Sequence, residues 1–360
     1  MTDGTAQGST PLISVIMPTW NRAHTLPRAI RSVLAQSWEH LELIIADDGS
    51  TDGTRELVER IPDPRLKYFR HQTNRGAAAA RNLGLAHARG EYIAFQDSDD
   101  EWLLDKLTMQ MDTLRSRAGE FGATFGGKLL YGRDPGGRFG EGLAAYRPDN
   151  LRAVRSGRIT SQLLEGNLIS PQTLLAQAQA VRETGSFDER LPSNEDWEFM
   201  LRLSMKTRVL FTNRPVVVAY ISGDSISRNR HAHARAFMTI TKKHQALFRE
   251  QPRLYAQKLF TTARYLHQLG RYRSAQKFLL RALEVHPGSV RSWLRLLQAR
   301  LAAIAAPWRK RTKPGTISVP SLRPVRSRSA GRRRGRAGRL IAFAFSRNEP
   351  ERHVQRADSR

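Results

Sequence analysis

The sequence predicts an α/β domain of parallel strands, followed by a helical appendage and a basic tail. Three observations carry that expectation. Short apolar runs alternate with stretches of helical period over residues 12–229, the period is almost wholly helical over 230–306, and Pro, Gly, Ser and Arg dominate 307–360. At 360 residues the chain is long enough for one large domain with an appendage.

Residues 1–11 are polar and are expected to be disordered. Leu12 to Met17 is a β-rich apolar run, Leu26 to Ala35 has apolar residues at helical spacing, and Leu41 to Ala46 is a second buried strand. Each strand closes on turn residues, Pro18-Thr19-Trp20-Asn21 and Asp47-Asp48-Gly49-Ser50, as parallel βαβ units do, and ligands bind at such carboxyl ends. Asp52-Gly53-Thr54 opens a helix over 54–60, and Leu66 to Arg70 is a third strand. The Ala-rich segment Gly76 to Ala88 is a helix ended by Gly90, and Tyr92 to Gln96 is a fourth strand. The acidic run Asp97-Ser98-Asp99-Asp100-Glu101 closes it. A helix over 103–118 and a Gly-rich stretch of short strands and loops over 119–142 follow. A turn at Gly185 to Asp188, a helix over Glu195 to Lys206 and strands at Val209 to Phe211 and Val216 to Ile221 complete a domain ending near Asn229.

Within 230–306, Ala256 to Pro287 follows the spacing of a tetratricopeptide helix-turn-helix. Gly270 and Tyr272 stand at the turn, Ala275, Phe278 and Ala282 on the second helix, Pro287 at its stop, and Trp293 where the next unit begins. One and a half units do not bury a solenoid core, so they lean on the first domain or stand as a short hairpin that binds a partner.

The chain carries 59 Lys+Arg against 33 Asp+Glu, a formal +26. Residues 1–225 hold 27 basic and 28 acidic residues, residues 226–305 hold 16 and 2, and residues 306–360 hold 16 and 3. The first part is therefore neutral and the excess lies wholly beyond it. An Arg-rich tail at Ser327 to Arg339 suggests a nucleic-acid partner, but it lacks the interleaved aromatics that stack bases. An anionic membrane surface met through residues 291–339 is the alternative: Arg291, Arg295 and Gln298 share one helical face, Leu294, Leu297, Leu301 and Ile304 lie elsewhere, and Trp293 and Trp308 lie towards the ends. Packing of that helix on the hairpin accounts for the same pattern. With no cysteine, disulfides and thiolate chemistry are excluded. No apolar run reaches 18 residues and the first residues lack a signal layout, so a cytoplasmic protein is expected, with peripheral attachment to the inner face of the cell membrane as an option.

Two acidic clusters, Asp47-Asp48 and Asp97-x-Asp99, fall where apolar strands run out and would converge on one sheet edge. Carboxylates there suit Mg²⁺ or Mn²⁺ completed by substrate phosphates, although Asp also serves as a helix cap or turn former. Asn194-Glu195-Asp196-Trp197 opens a helix whose dipole favours ionised carboxylates, one of which can serve as a general base.

Together Ser14 to Arg22, Asp47 to Thr54, Ala80-Arg81-Asn82, Asp97-Ser98-Asp99-Asp100 and Glu195-Asp196-Trp197 resemble the ordered motifs of glycosyltransferase family 2. The resemblance implies the GT-A fold, a Rossmann-like nucleotide-sugar-binding domain, and a metal-dependent, inverting transferase. By position, Pro18, Thr19 and Trp20 would frame the nucleobase, with Trp20 in place of the usual tyrosine, and Asp48 would accept the imide N–H of uracil. Arg22 and Arg81 would meet the diphosphate or base. Asp99 would bind Mn²⁺ or Mg²⁺ directly, Asp97 would reach the ribose or metal, and Asp196 matches the catalytic base. Asn167, Glu195 and Trp197 are expected on the acceptor side. Processive members carry a Gln-x-x-Arg-Trp motif and membrane helices; this chain has neither, so a single sugar is expected to pass to a glycan or lipid-linked acceptor of cell-surface polysaccharide. Arg228 and Arg230 would assist the diphosphate or are solvated. Retention would need a nucleophile beneath the sugar ring, and the sequence offers none.

Overall fold

The structure, a computed structural model, describes residues 10–117, 119–132, 143–149, 153–221 and 230–311. Arg228, most of the expected N-terminal tail and the basic tail beyond Arg311 lie outside the described residues. Four strands, β1 (Ile13–Thr19), β2 (Leu41–Asp47), β3 (Leu66–Arg70) and β4 (Tyr92–Phe95), pair in parallel in the order β3-β2-β1-β4. The helices α1 (Leu26–Leu34), α2 (Thr54–Glu59) and α3 (Ala77–His87) connect them. Because β1 has β2 on one side and β4 on the other, the winding reverses between β1 and β4, where a doubly wound sheet opens a crevice at its carboxyl ends.

Alternation along β1 builds the two faces. Ile13, Val15 and Met17 pack with Leu26, Ile30 and Val33 of α1, while Ile16 points to the other face with Ile93 and Phe95 of β4. A Cβ at Gly84 of α3 would lie 2.3 Å from Ile16 Cγ2, so the absence of a side chain there lets α3 settle on β1. Buried Glu42 of β2 accepts from Ser14 Oγ at 2.6 Å and from the Arg89 amide at 2.7 Å, and pairs with Lys67, tying β1, β2 and β3 together.

Beyond β4 the sheet turns antiparallel, which the strand-by-strand reading does not foresee. β8 (Leu174–Gln177) lies between β4 and β6 (Ala123–Tyr131), antiparallel to both, and β9 (Val209–Tyr220) runs parallel to β6. β5 (Glu101–Trp102) and β7 (Leu143–Arg147) pair antiparallel with β9 and β6. β9 is one strand where two were expected, because Pro215 sits opposite Gly127 at a register shift that absorbs the missing donor. The helix expected over 103–118 is α4 (Lys106–Arg115); it starts later because Leu103 still donates to the Val216 carbonyl. Two helices, α5 (Thr160–Glu165) and α6 (Ala178–Thr184), have no counterpart among the expected elements, whereas α7 (Glu195–Lys206) matches its expected bounds.

Five further helices follow: α8 (Arg230–Lys243), α9 (Gln245–Arg249), α10 (Pro252–Gln268), α11 (Tyr272–Val285) and α12 (Val290–Arg311). Gly270, at φ +71°, makes the turn between α10 and α11. The helices lean on the sheet: Ala236, Ile240, Phe248, Tyr255 and Leu259 join the buried cluster that holds Phe187, Trp197 and Phe199. A second, smaller core of Ala263, Leu266, Ala275, Leu279, Leu283, Leu296 and Ala299 closes α10, α11 and α12 on one another. Residues up to Arg311 thus form one compact unit.

Candidate active site

At the β1 end, Thr19 is buried with its hydroxyl oxygen unpartnered, and Trp20 beside it is 51% exposed, a free ring face. The loops after β1 and β2 are laced together. Asn21, at φ +51°, donates its amide to Ser50 Oγ at 2.9 Å and accepts from the Thr51 amide at 2.8 Å. Arg22 is half-buried near Asp99 and acts on that carboxyl electrostatically.

Asp47 and Asp48 divide the work. Asp47 is fully buried, accepts from the Ser50 amide at 2.8 Å and takes the Tyr68 hydroxyl, so it shapes the loop. Asp48 accepts from the amides of Arg75 at 2.9 Å and Gly76 at 2.6 Å, and lies 2.8 Å from His71 Nδ1. Its oxygens therefore fix the turn into α3.

Past β4, the turn carrying Asp97 and Asp99 is braced from outside. Arg28 Nη2 donates to the Asp99 carbonyl at 2.6 Å, its Nε lies 3.0 Å from Glu101, and its guanidinium stacks 3.6 Å from the Tyr220 ring centroid. Burial, and then the charge of Asp97, push the Asp99 carboxyl above its usual range, a like-charge conflict that a cation relieves. Two hard oxygen donors, left with coordination positions for diphosphate oxygens, fit Mg²⁺ or Mn²⁺; no group of three or more candidate ligands occurs among the described residues.

Asp100, which the sequence reading assigns no role, is the most buried carboxyl of the run. It accepts from the Tyr220 amide and from Gln172 Nε2, both at 2.9 Å, and burial, with Asp97 and Asp99, raises it to about 8. Through Gln172 it anchors the 3-10 turn Pro171–Thr173, whose neighbour Ser170 lines a cleft. Its place as the third acid of the run was the available signal; its partners lie 72 and 120 residues away.

Arg81 joins the two acidic clusters. Only 8% of its side chain is exposed, and it donates to Glu195 at 2.8 Å and to Asp97 at 3.3 Å. It therefore braces the site more than it reaches outward. One residue past Glu195, Asp196 accepts from Asn167 Nδ2 at 2.8 Å and from the Trp197 amide at 2.7 Å. Burial, reinforced by Glu195, raises its carboxyl, which strengthens it as a base. Asn194, before it, takes a left-handed φ of +57° and lies 3.0 Å from His233.

Asp196 and Asn167 open onto a cleft of about 460 Å³ that also holds Gly126, Lys128, Arg147 and Ser170. Lys128 Nζ donates to Ser170 Oγ at 2.7 Å, while Arg147 pairs with Asp149. Asn167 thus lines the cleft beside Asp196. Trp197 does not: it is 2% exposed, its indole donates to the Leu163 carbonyl at 2.6 Å and its ring packs on Phe237, so the expectation of an acceptor-side Trp197 is corrected to a core residue. Arg230 opens α8, and Glu195 faces Arg81.

Residues 14–149 match the family model described as Glycosyl transferase family 2. A Haemophilus influenzae protein named an uncharacterized glycosyltransferase is 32% identical over 232 residues, which cover 62% of this chain and 85% of that one. The chain belongs to glycosyl transferase family 2. The putative teichuronic acid biosynthesis glycosyltransferase TuaG of Bacillus subtilis is 43% identical over 126 residues, covering 34% of this chain and 49% of TuaG. The Escherichia coli protein WfgD, named a UDP-Glc:alpha-D-GlcNAc-diphosphoundecaprenol beta-1,3-glucosyltransferase, is 45% identical over 103 residues, covering 29% and 41%. Some relatives are much longer; the chain spans 32% of one from Rickettsia bellii. In structure, Staphylococcus aureus TarS residues 1–349 with UDP superpose at a TM-score of 0.58 and 18% identity, covering 86% of this chain and 94% of that one. As a family 2 member with this neighbour, the chain has the GT-A fold.

Proposed function

We propose that the chain is a metal-dependent, inverting glycosyltransferase that moves one sugar from a UDP-sugar to a hydroxyl of a glycan or lipid-linked acceptor in cell-surface polysaccharide biosynthesis. The observation that carries this is the bridge through Arg81, which ties Asp97, two residues from Asp99, to Glu195, the immediate neighbour of a half-buried carboxylate, Asp196, that lines an open cleft. The similarity to WfgD, named for UDP-Glc and a diphosphoundecaprenol acceptor, supports the donor and the lipid-linked acceptor, and that to TuaG supports the pathway class.

In this reading Trp20 stacks the base, Pro18 and Thr19 frame it, Asp48 meets its imide, Arg22 meets the diphosphate and Asp97 holds the ribose or metal. Asp99, helped by Asp97, holds Mn²⁺ or Mg²⁺, which when bound neutralises the departing diphosphate. Asp196 takes the proton of the attacking hydroxyl, and Asn167 holds the carboxylate that does so. Glu195 keeps Arg81 in place beside it. One base and in-line attack from the acceptor cleft invert the anomeric centre. The site works at the inner, cytoplasmic face of the cell membrane, where lipid-linked acceptors are. The test is donor hydrolysis and transfer with and without Mn²⁺: activity independent of metal, or full activity in Asp99→Ala and Asp196→Asn, overturns the reading.

A further inference from the structure

α12 has two apolar sides, and among the described residues only one is covered. Ser292, Leu296 and Ala299 are buried, the last two in the small core shared with α10 and α11. Val290, Leu294, Leu297, Leu301 and Ile304 recur at spacings of four and three residues, which sets them on one stripe along four turns. All five are 57–69% exposed. Trp293, also exposed, borders the stripe and donates its indole N–H to the Pro287 carbonyl at 3.1 Å. At 100° per residue, Arg300 falls on one flank and Arg291 on the other, and both are exposed. An exposed apolar strip of this length marks an interaction site.

Charge decides the occupant. α12 contains no Asp or Glu, and residues 226–305 hold 16 basic residues against 2 acidic ones. A second copy laid along the stripe would set arginine flanks against arginine flanks, which is repulsive. An anionic bilayer matches both features: the aliphatic stripe enters the boundary between headgroups and acyl chains, the arginines meet lipid phosphates, and the Trp293 ring suits the interface. Among the described residues no helix is long and apolar enough to cross a membrane, so the contact is with the surface.

We infer that α12 is an interfacial helix that docks the protein on an anionic lipid surface through the Val290 to Ile304 stripe. Only its purpose, delivering the site to a membrane-borne acceptor, rests on the proposed function. The test is flotation of the full-length protein with phosphatidylglycerol-containing vesicles and with phosphatidylcholine vesicles. The comparison is a Leu294→Glu/Leu297→Glu/Leu301→Glu variant, whose changes lie on exposed positions and whose fold is checked by thermal melting. The wild type is expected to float with the anionic vesicles and not the neutral ones, and the variant to lose binding by roughly tenfold or more. Arg291→Glu/Arg300→Glu is expected to weaken binding in the same assay. Equal flotation of the wild type and the triple variant would overturn the proposal by placing the contact in the basic tail. So would no flotation of the wild type, or a wild-type dimer that the triple variant breaks. Flotation needs neither donor nor acceptor, so its failure leaves the transferase reading standing, and loss of transfer to a soluble acceptor would strike that reading alone.

Discussion

The Arg81 guanidinium donates to Glu195 at 2.8 Å, and Glu195 immediately precedes Asp196 in the chain. The same guanidinium reaches Asp97, so one cation links Asp97 to the neighbour of the proposed base. A planar fork serves two carboxylates at fixed angles, which an ammonium does not. Arg81→Lys is therefore expected to lower kcat about 10- to 100-fold while the protein stays folded. Turnover within twofold of wild type would show that the bridge has no part in catalysis.

Asn167 bears on the ionisation of Asp196. Its amide donates to the carboxylate and so lowers a carboxyl that burial and Glu195 raise. Removing it in Asn167→Ala favours the protonated acid. Since the ionised form takes the proton, the acidic limb of kcat/KM is expected to move to higher pH. A limb that stays in place, or moves down, would separate Asn167 from the base.

Lys128 lies in the cleft beside Asn167 and Asp196, hydrogen-bonds Ser170 and acts electrostatically on the Asp100 carboxyl. Lys128→Met is expected to raise the KM for a phosphate-bearing acceptor roughly tenfold and to leave donor hydrolysis unchanged. Initial-rate kinetics with the two substrates varied in turn distinguish this from a general loss of activity.

Glu198 of α7 ties the sheet domain to the helical region. It is fully buried, and against the desolvation that would raise it, bonds from His244, Arg202 and Lys243 hold it at about 2. A depressed acid stabilises the fold above its unfolded pKa and loses that contribution as pH falls through its folded value. Between pH 4.5 and about 2, stability is expected to drop by on the order of 3 kcal/mol from this group. Urea titrations of wild type and Glu198→Gln across that window check it, because the variant is less stable at neutral pH and has a flatter acid dependence.

The parallel half of the fold was legible because its signals are local. Each apolar run of β1 to β4 ends in its own turn residues, and the helices between them keep their period. The antiparallel half was not, because β8, a four-residue strand, sits between β4 and β6, and β6 pairs with β9 nearly ninety residues away. The same contrast holds in the site. Asp97, Asp99 and Asp196 stand out at element ends, whereas the role of Asp100 depends on Gln172 and Tyr220, and Trp197 reads as a cleft residue until α8 is packed against it.

Trp197 also settles how the molecule can be rebuilt. Its ring fills a space walled by Phe237 of α8 and neighboured by Lys258 of α10, one residue from the proposed base. The helical region is thus no cassette to be exchanged between relatives at Asn229. A chimera joined there must bring a matching wall for the indole, or the helix presenting Asp196 loses its backing.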